Sequence, residues 1–183
     1  MQNKTQIPSN VLIGKFIFLR PLSVNDCTEK YCSWLNDPKI NRYLEIRWKK
    51  QSLEDIRKFV KANNESPENY LFAIIERKTN THIGNLKLGP INFNHLFSDL
   101  SYFIGEPACW GKGYASEAIK LIEKAAFDVL KIYKIEASIY ASNIASKKAL
   151  INAGFKLERI SKNRLKTNVN EWDDHHWYVK FKN

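Results

Sequence analysis

At Gly111 and Gly113 the apolar pattern of the chain changes period. Residues 98–104 read as a strand. From Tyr114 onward Ala115, Ala118, Ile119, Ile122, Ala126, Val129 and Leu130 recur at spacings of three and four, with Glu117, Lys120, Glu123 and Lys124 between them, which predicts an amphipathic helix of about four turns. Glycines at such a junction let the backbone turn tightly and bring several N–H groups close to one point, and a helix N-terminus adds partial positive charge. Residues 109–115 therefore describe a cradle for a diphosphate, although the same spacing also serves as a plain packing turn. The usual nucleotide motifs are absent: residue 116 is Ser where the dinucleotide fingerprint needs Gly, and no GxxxxGK followed by Ser or Thr occurs.

The rest of the pattern alternates strands and helices. Residues 15–20 alternate around Phe16, Ile17 and Phe18 and stop at Pro21. Residues 26–35 place Tyr31, Trp34 and Leu35 at helical spacing before Asn36-Asp37-Pro38 ends the helix. Ser52 can cap a helix whose stripe is Leu53, Ile56, Phe59 and Val60. Residues 70–76 and 82–88 form a hairpin, 132–140 another strand, and 143–152 a short helix closed by Gly154. Two last strands, 155–160 and 172–181, flank a polar loop. The order predicts a mixed α/β fold in one domain, residues 14–183, preceded by an N-terminal extension, residues 1–13.

A net charge of +10 points to an anionic partner. The densest basic stretch holds Lys147, Lys148, Lys156, Arg159, Lys162, Arg164 and Lys166 against Glu158 alone. No nucleic-acid-binding motif accompanies it, so no direct nucleic-acid partner is expected. Cys27, Cys32 and Cys109 lack zinc-site spacing and read as buried or half-buried thiols, with no metal expected. The polar start and the lack of a membrane-length apolar run predict a cytoplasmic protein.

Four segments agree in order with one family: Leu19-Arg20-Pro21-Leu22; Trp34-Leu35-Asn36-Asp37-Pro38; Trp110-Gly111-Lys112-Gly113-Tyr114-Ala115 followed by Glu117-Ala118; and Asn143, Ser146 and Gly154-Phe155. From about residue 14 to the C-terminus the chain resembles the GNAT superfamily of N-acetyltransferases, and within it the RimJ/RimL-like branch. Trp110 stands where the superfamily's coenzyme motif has Gln or Arg. The resemblance implies a mixed, mostly antiparallel central sheet flanked by helices, with splayed central strands, and acetyl-CoA as cosubstrate.

For the coenzyme, the resemblance implies a site at Trp110, Gly111, Lys112, Gly113, Tyr114 and Ala115, with the amides of residues 111–115 on the diphosphate. Phe103, Ile104 and Gly105 would offer backbone groups to the pantetheine and the oxyanion, Gly105 and Pro107 lying where the strand bulges and splays. Asn143 and Ser146 would face the channel near the sulfur. Lys112 and Lys147 would help hold phosphates, or are simply solvent-facing lysines.

For catalysis, Asp99 is the first candidate for general base, though it reads equally as a loop-end Asp bonded to backbone, and a carboxylate needs burial to act near neutral pH. Glu106 is second. The tyrosine acid of many relatives falls on Leu150, which can donate nothing, leaving Ser146, Tyr140 or water. Cys109 has no His–acid pair to activate it. The acceptor cleft is expected from the front helices, residues 92–97 and residues 163–176, with Trp48, His95, Phe97, Trp172, His175 and His176 as its rings, of which only one of the paired histidines can point inward. A protein N-terminal α-amine is the first acceptor and a nucleotide-linked amino sugar the alternative. A polyamine is disfavoured because Glu45, Glu54, Asp55, Glu65 and Glu68 are scattered. A catalytically inactive CoA-binding regulator is the non-enzymatic alternative, and the resemblance implies a homodimer.

Overall fold

The computed structural model describes residues 11–168 and 171–182. Its strands are β1 (Leu12–Ile13), β2 (Ile17–Pro21), β3 (Tyr70–Glu76), β4 (Thr81–Asn92), β5 (Phe97–Ile104), β6 (Lys134–Tyr140), β7 (Lys156–Asn168) and β8 (Glu171–Phe181). They form one sheet in the order β1-β2-β3-β4-β5-β6-β8-β7. The helices are α1 (Glu29–Asn36), α2 (Pro38–Asn41), α3 (Leu53–Glu65), α4 (Tyr114–Asp128) and α5 (Ile144–Asn152). This is the mixed, mostly antiparallel sheet with flanking helices that the resemblance implies.

Two cores cover the two faces of the sheet. On one, α4 and α5 bury Ile119, Ile122 and Leu150 against Leu86, Leu100 and Tyr178. On the other, α1 and α3 bury Tyr31, Trp34, Ile56 and Val60 against Leu71, Ala73 and Ile75. Strand β3 is covered on both sides, since Phe72 and Ile74 join the first core, and this explains its unbroken apolar run.

Every neighbouring pair of strands is antiparallel except β5 and β6. That parallel pair meets only at Phe97↔Lys134, Ser98↔Ile135 and Asp99↔Glu136. Beyond Asp99 the strands part, and residues 100–104 of β5 face residues 137–140 of β6 across an unpaired gap in mid-sheet. These are the splayed central strands.

Three local boundaries differ from the sequence reading. Leu12 pairs with Leu19 and Ile13 with Phe18, so the end of the expected extension joins the sheet, while residues 1–10 lie outside the described residues. Strand β7 continues through most of the expected polar loop, pairing as far as Asn168↔Glu171, with register shifts across the left-handed Asn163 and on both sides of it that hide its alternation. Helix α1 starts at Glu29, capped by Thr28, whose side chain accepts the Tyr31 N–H. Asp26, the expected start, is used elsewhere: it receives both ends of the Arg20 guanidinium, at 2.8 and 2.6 Å, and the Ser23 N–H.

Burial alone would raise the Asp26 carboxyl, but the hydrogen bonds from Arg20 and Ser23 outweigh it and hold its pKa at about 2. A depressed folded-state value stabilises the fold above the unfolded pKa and is lost as pH falls through about 2. Asp26→Asn is expected to cost about 1–3 kcal/mol at neutral pH, measured by urea unfolding, and the gap to the parent should close in acid.

Among the described residues no helix is long and apolar enough to cross a membrane, and no cluster of three His, Cys, Asp or Glu side chains is placed to hold a metal. Cys27 and Cys109 are buried and Cys32 half-buried, all as free thiols.

Candidate active site

After β5 the chain makes a 3-10 turn, Pro107–Cys109, and passes through Gly111 (φ 75°) and Gly113 (φ 81°) into α4. Both glycines are left-handed, and a Cβ on either would meet nothing within 4 Å. Backbone conformation rather than packing therefore requires glycine here, and the space in front of the turn is open. Gly113 is the N-cap and supplies no side-chain acceptor. The first N–H groups of α4 thus face that open space without a side-chain cap, an arrangement that fits an anion such as a diphosphate.

Neighbouring side chains fix this turn. The Trp110 indole N–H donates to the Ile104 carbonyl at 2.9 Å and folds the loop back on the end of β5. The Tyr114 hydroxyl donates to Glu76 at 2.8 Å, and Lys112 adds its charge beside the same carboxylate. Glu117 accepts the backbone N–H groups of Lys15 and Phe16, tying the helix to the start of β2.

The opposite wall of the gap is α5. Asn143 caps it by accepting the Ser146 N–H at 3.1 Å, which leaves its amide NH2 as a donor. The Tyr102 hydroxyl donates to the Ser146 carbonyl at 3.2 Å and links β5 to α5. On β5, the Gly105 N–H donates to the Ile83 carbonyl at 2.8 Å. Alternation along the strand then directs the Phe103 backbone toward β4 as well, and Ile104 toward the gap. Of the three backbone positions expected there, Ile104 has its N–H facing the gap. Gly105 and Glu106 both donate to the Ile83 carbonyl, at 2.8 and 3.3 Å, the doubled hydrogen bond of a β-bulge, and Gly105 is tightly packed as well: an added Cβ would lie 2.2 Å from the Trp34 ring. A second irregularity of the β4–β5 pair lies at its other end, between Leu88 and Ile91.

On the α1/α3 face a cavity of about 470 Å³ opens onto the gap. Tyr31, Leu35, Ile56 and Phe59 wall it from above, Ser101 and Phe103 from β5, Ser138 and Tyr140 from β6, and Leu165 and His175 from the β7–β8 hairpin. The Tyr140 hydroxyl donates to Glu45 at 2.6 Å and accepts from Arg47 at 3.0 Å. Burial first, then the Glu45 carboxylate, pushes this phenol up to about 12. Arg47 also donates to the carbonyls of Arg42 and Lys166, latching the 3-10 turn Glu45–Trp48 onto the hairpin.

His175 pairs in register with Tyr140 and packs its ring on Trp177, centroids 4.6 Å apart. Burial, followed by the charge of Arg164, lowers its pKa, with Glu45 opposing, so the ring is neutral at physiological pH. His176 pairs with Ile139, a residue of the α4/α5 core, and so faces the other side of the sheet.

The remaining expected residues are distributed unevenly. Asp99 sits at the last paired step of β5, on the same face as Ser101 but outside the cavity wall. Desolvation and its register partner Glu136 push its carboxyl above the usual range, with Lys87 opposing. Glu106 is ion-paired to Lys30 at 2.7 Å, away from the cavity. Lys147 sits half-buried on the first turns of α5. Cys109 is buried and its thiol is pushed up by that burial. Trp48 and Trp172 are 56% and 57% exposed and do not line this cavity. His95 and Phe97 stack on each other at the start of β5, the end of that strand remote from the cavity. Of the six expected rings only His175 lines the cavity. The sequence reading placed neither Tyr102 nor the Glu45–Arg47 pair, because their partners lie 44 to 119 residues away and leave no local pattern.

Residues 17–156 match the family model described as the acetyltransferase (GNAT) domain. The chain is 28% identical over 174 residues to the Bacillus subtilis protein named "Probable N-acetyltransferase YjcK", covering 90% of this chain and 93% of that one. It superposes on the spermidine N-acetyltransferase of Vibrio cholerae, solved with CoA and spermine, with a TM-score of 0.81 at 20% identity, over 92% and 96% of the two chains. With RimJ of Mycobacterium smegmatis, solved with CoA-disulfide, the TM-score is 0.79 at 16% identity, over 96% and 88%.

Proposed function

Given that the chain belongs to the GNAT family and has the fold of acetyl-CoA-dependent acetyltransferases, we propose that it acetylates the α-amine at a protein N-terminus, in the manner of the RimJ/RimL-like branch. The observation that carries this reading is the parting of β5 and β6 beyond Asp99, with the glycine turn at the end of β5 and the cavity opening onto the same gap. A polyamine fits less well. Glu45 is engaged by Tyr140, and Lys87, Arg47 and Arg164 bring positive charge to the walls or close to them.

Acetyl-CoA supplies the thioester when bound. The residues that would hold it are the amides of 111–115, the Ile104 N–H and the Asn143 amide, with Lys112 and Lys147 beside the phosphates. The chain's own contributions are to orient and to move a proton. His175, neutral and in the cavity wall, takes the proton from the amine as its nitrogen bonds to the acyl carbon and the C–S bond breaks; the proton ends on the departing thiolate. The Ile104 N–H faces the developing oxyanion. Leu150 is fully buried, so no acid acts from that position, and a thiolate of pKa about 8.5 leaves without one. Asp99 acts at longer range, through water.

His175→Gln is expected to lower kcat by about 100-fold or more. Because the His175 pKa is below 6.5, the parent enzyme should keep its activity down to that pH and lose it as the ring protonates. The variant should lack this acid limb. A pH profile of kcat from 5 to 9 for His175→Gln and Asp99→Asn, at about half-unit steps, identifies the proton acceptor as whichever loses the limb.

A nucleotide-linked amino sugar is the second reading, favoured by Arg159 and Arg164, whose charges act on His175 and could meet a second diphosphate. The test offers acetyl-CoA with a free-amine peptide, the same peptide blocked at its N-terminus, and amino sugars, and reads products by mass. Acetyl on the free peptide alone supports the α-amine reading. Acetyl on the sugar alone replaces it, and CoA binding with no product on any amine supports an inactive regulator.

A further inference from the structure

The cavity has two unlike ends. Toward β6 and β8 it presents Glu45, Tyr140, Ser138 and His175, beside the gap where the amine must stand. Toward α1, α3 and β3 it presents Leu35, Ile56, Phe59 and Leu71, with the rings of Tyr31 and Phe103. Strand order puts β3 two places from β5, so the Leu71 wall stands about 10 Å from the edge of the gap at about 4.8 Å per strand. Most polar groups on this side are already occupied: Gln51 donates to the carbonyls of Ile46 and Lys49, Asp55 accepts from Ser52, and Lys87 faces the charge of Asp99, while Asn85, whose amide oxygen meets His82, keeps a buried NH2 group without a partner. An alanine or serine beside the amine leaves that apolar end filled with water, whereas a long apolar side chain displaces it.

Resting on the α-amine reading above, we infer that the first residue of the acceptor is bulky and apolar, of the Met, Leu or Phe type, and that Leu35, Ile56, Phe59 and Leu71 select it. The volume, about 470 Å³, is in the range of sites that enclose a small molecule and exceeds what a methyl or hydroxymethyl side chain can fill. Phe59, 46% exposed, closes the outer side of this end and is the wall residue most tolerant of change.

The experiment is a set of peptides identical except for the first residue, Phe, Leu, Met, Ala or Ser, together with nucleotide amino sugars, assayed for kcat/KM. The large residues are expected to exceed Ala and Ser by about 30-fold or more, since each methylene in an apolar pocket is worth about 10-fold or more. Phe59→Asp should bring that ratio below about 3-fold while its acetyl-CoA affinity is kept, and Phe59→Ala, a milder change, should reduce it partway. Equal rates on all five peptides, or an unchanged ratio in both variants, overturn this inference and leave the α-amine reading standing. Turnover of amino sugars with no peptide accepted removes both.

Discussion

Gly113→Val is expected to weaken acetyl-CoA binding by about 100-fold while leaving the protein folded. The backbone there is at φ 81°, and a Cβ meets nothing within 4 Å. The cost to the fold is therefore left-handed strain alone, about 1–2 kcal/mol, a fall in Tm of roughly 2–8 °C for a domain of this size. The branched side chain would instead occupy the space in front of the uncapped start of α4. Loss of two charge-assisted hydrogen bonds at about 1.5 kcal/mol each corresponds to about 100-fold in Kd. Titration calorimetry paired with a thermal melt separates the two effects. A variant that melts near the parent and binds as tightly would show that this turn does not cradle the coenzyme.

Gly84→Ala should do the reverse, damaging the fold first. Gly84 pairs with Ile104 at the end of the β4–β5 ladder, and an added Cβ would lie 2.2 Å from the Phe103 carbonyl oxygen and 2.9 Å from the Ile104 Cα. Both obstacles are backbone, so no rotamer change relieves them. The strands must separate where β5 borders the gap, at an expected cost of about 3 kcal/mol or more, measured by urea unfolding. Activity should fall further than the lost stability explains, because the displaced segment carries the Ile104 N–H.

The contrast between these glycines shows where sequence reading ends. The turn at Gly111 and Gly113 is legible because the period of the chain changes there, and α4, the Ser52 cap of α3 and the left-handed Gly154 follow from equally local signals. Gly84 gives no local signal, since its need for a missing side chain comes from a carbonyl on another strand. The same holds for the cavity. Tyr140 meets Glu45 across 95 residues of sequence, and Arg47 reaches Lys166 across 119. Alternation correctly allowed only one of His175 and His176 to face inward, but choosing which required the register with β6. The exposed rings of Trp48 and Trp172 misled for the opposite reason: aromatic residues in polar segments suggest a cleft, yet the cavity took its rings from Tyr31, Phe59 and Phe103 on the packed elements. The splay itself was expected from family resemblance and not from pattern, because nothing in residues 97–104 marks where pairing with β6 stops.

The central claim is that the gap between β5 and β6 brings acetyl-CoA and an amine together for direct transfer. Its most direct measurement is thiol release from acetyl-CoA by the purified protein, with and without a peptide bearing a free α-amine, and with the acetylated product counted by mass. The account predicts release only when the amine is present, one thiol for each acetylated α-amine, and no acetyl left on the protein. Tight coenzyme binding without amine-dependent release on any primary amine, or an acetyl group retained on Cys109, would contradict it.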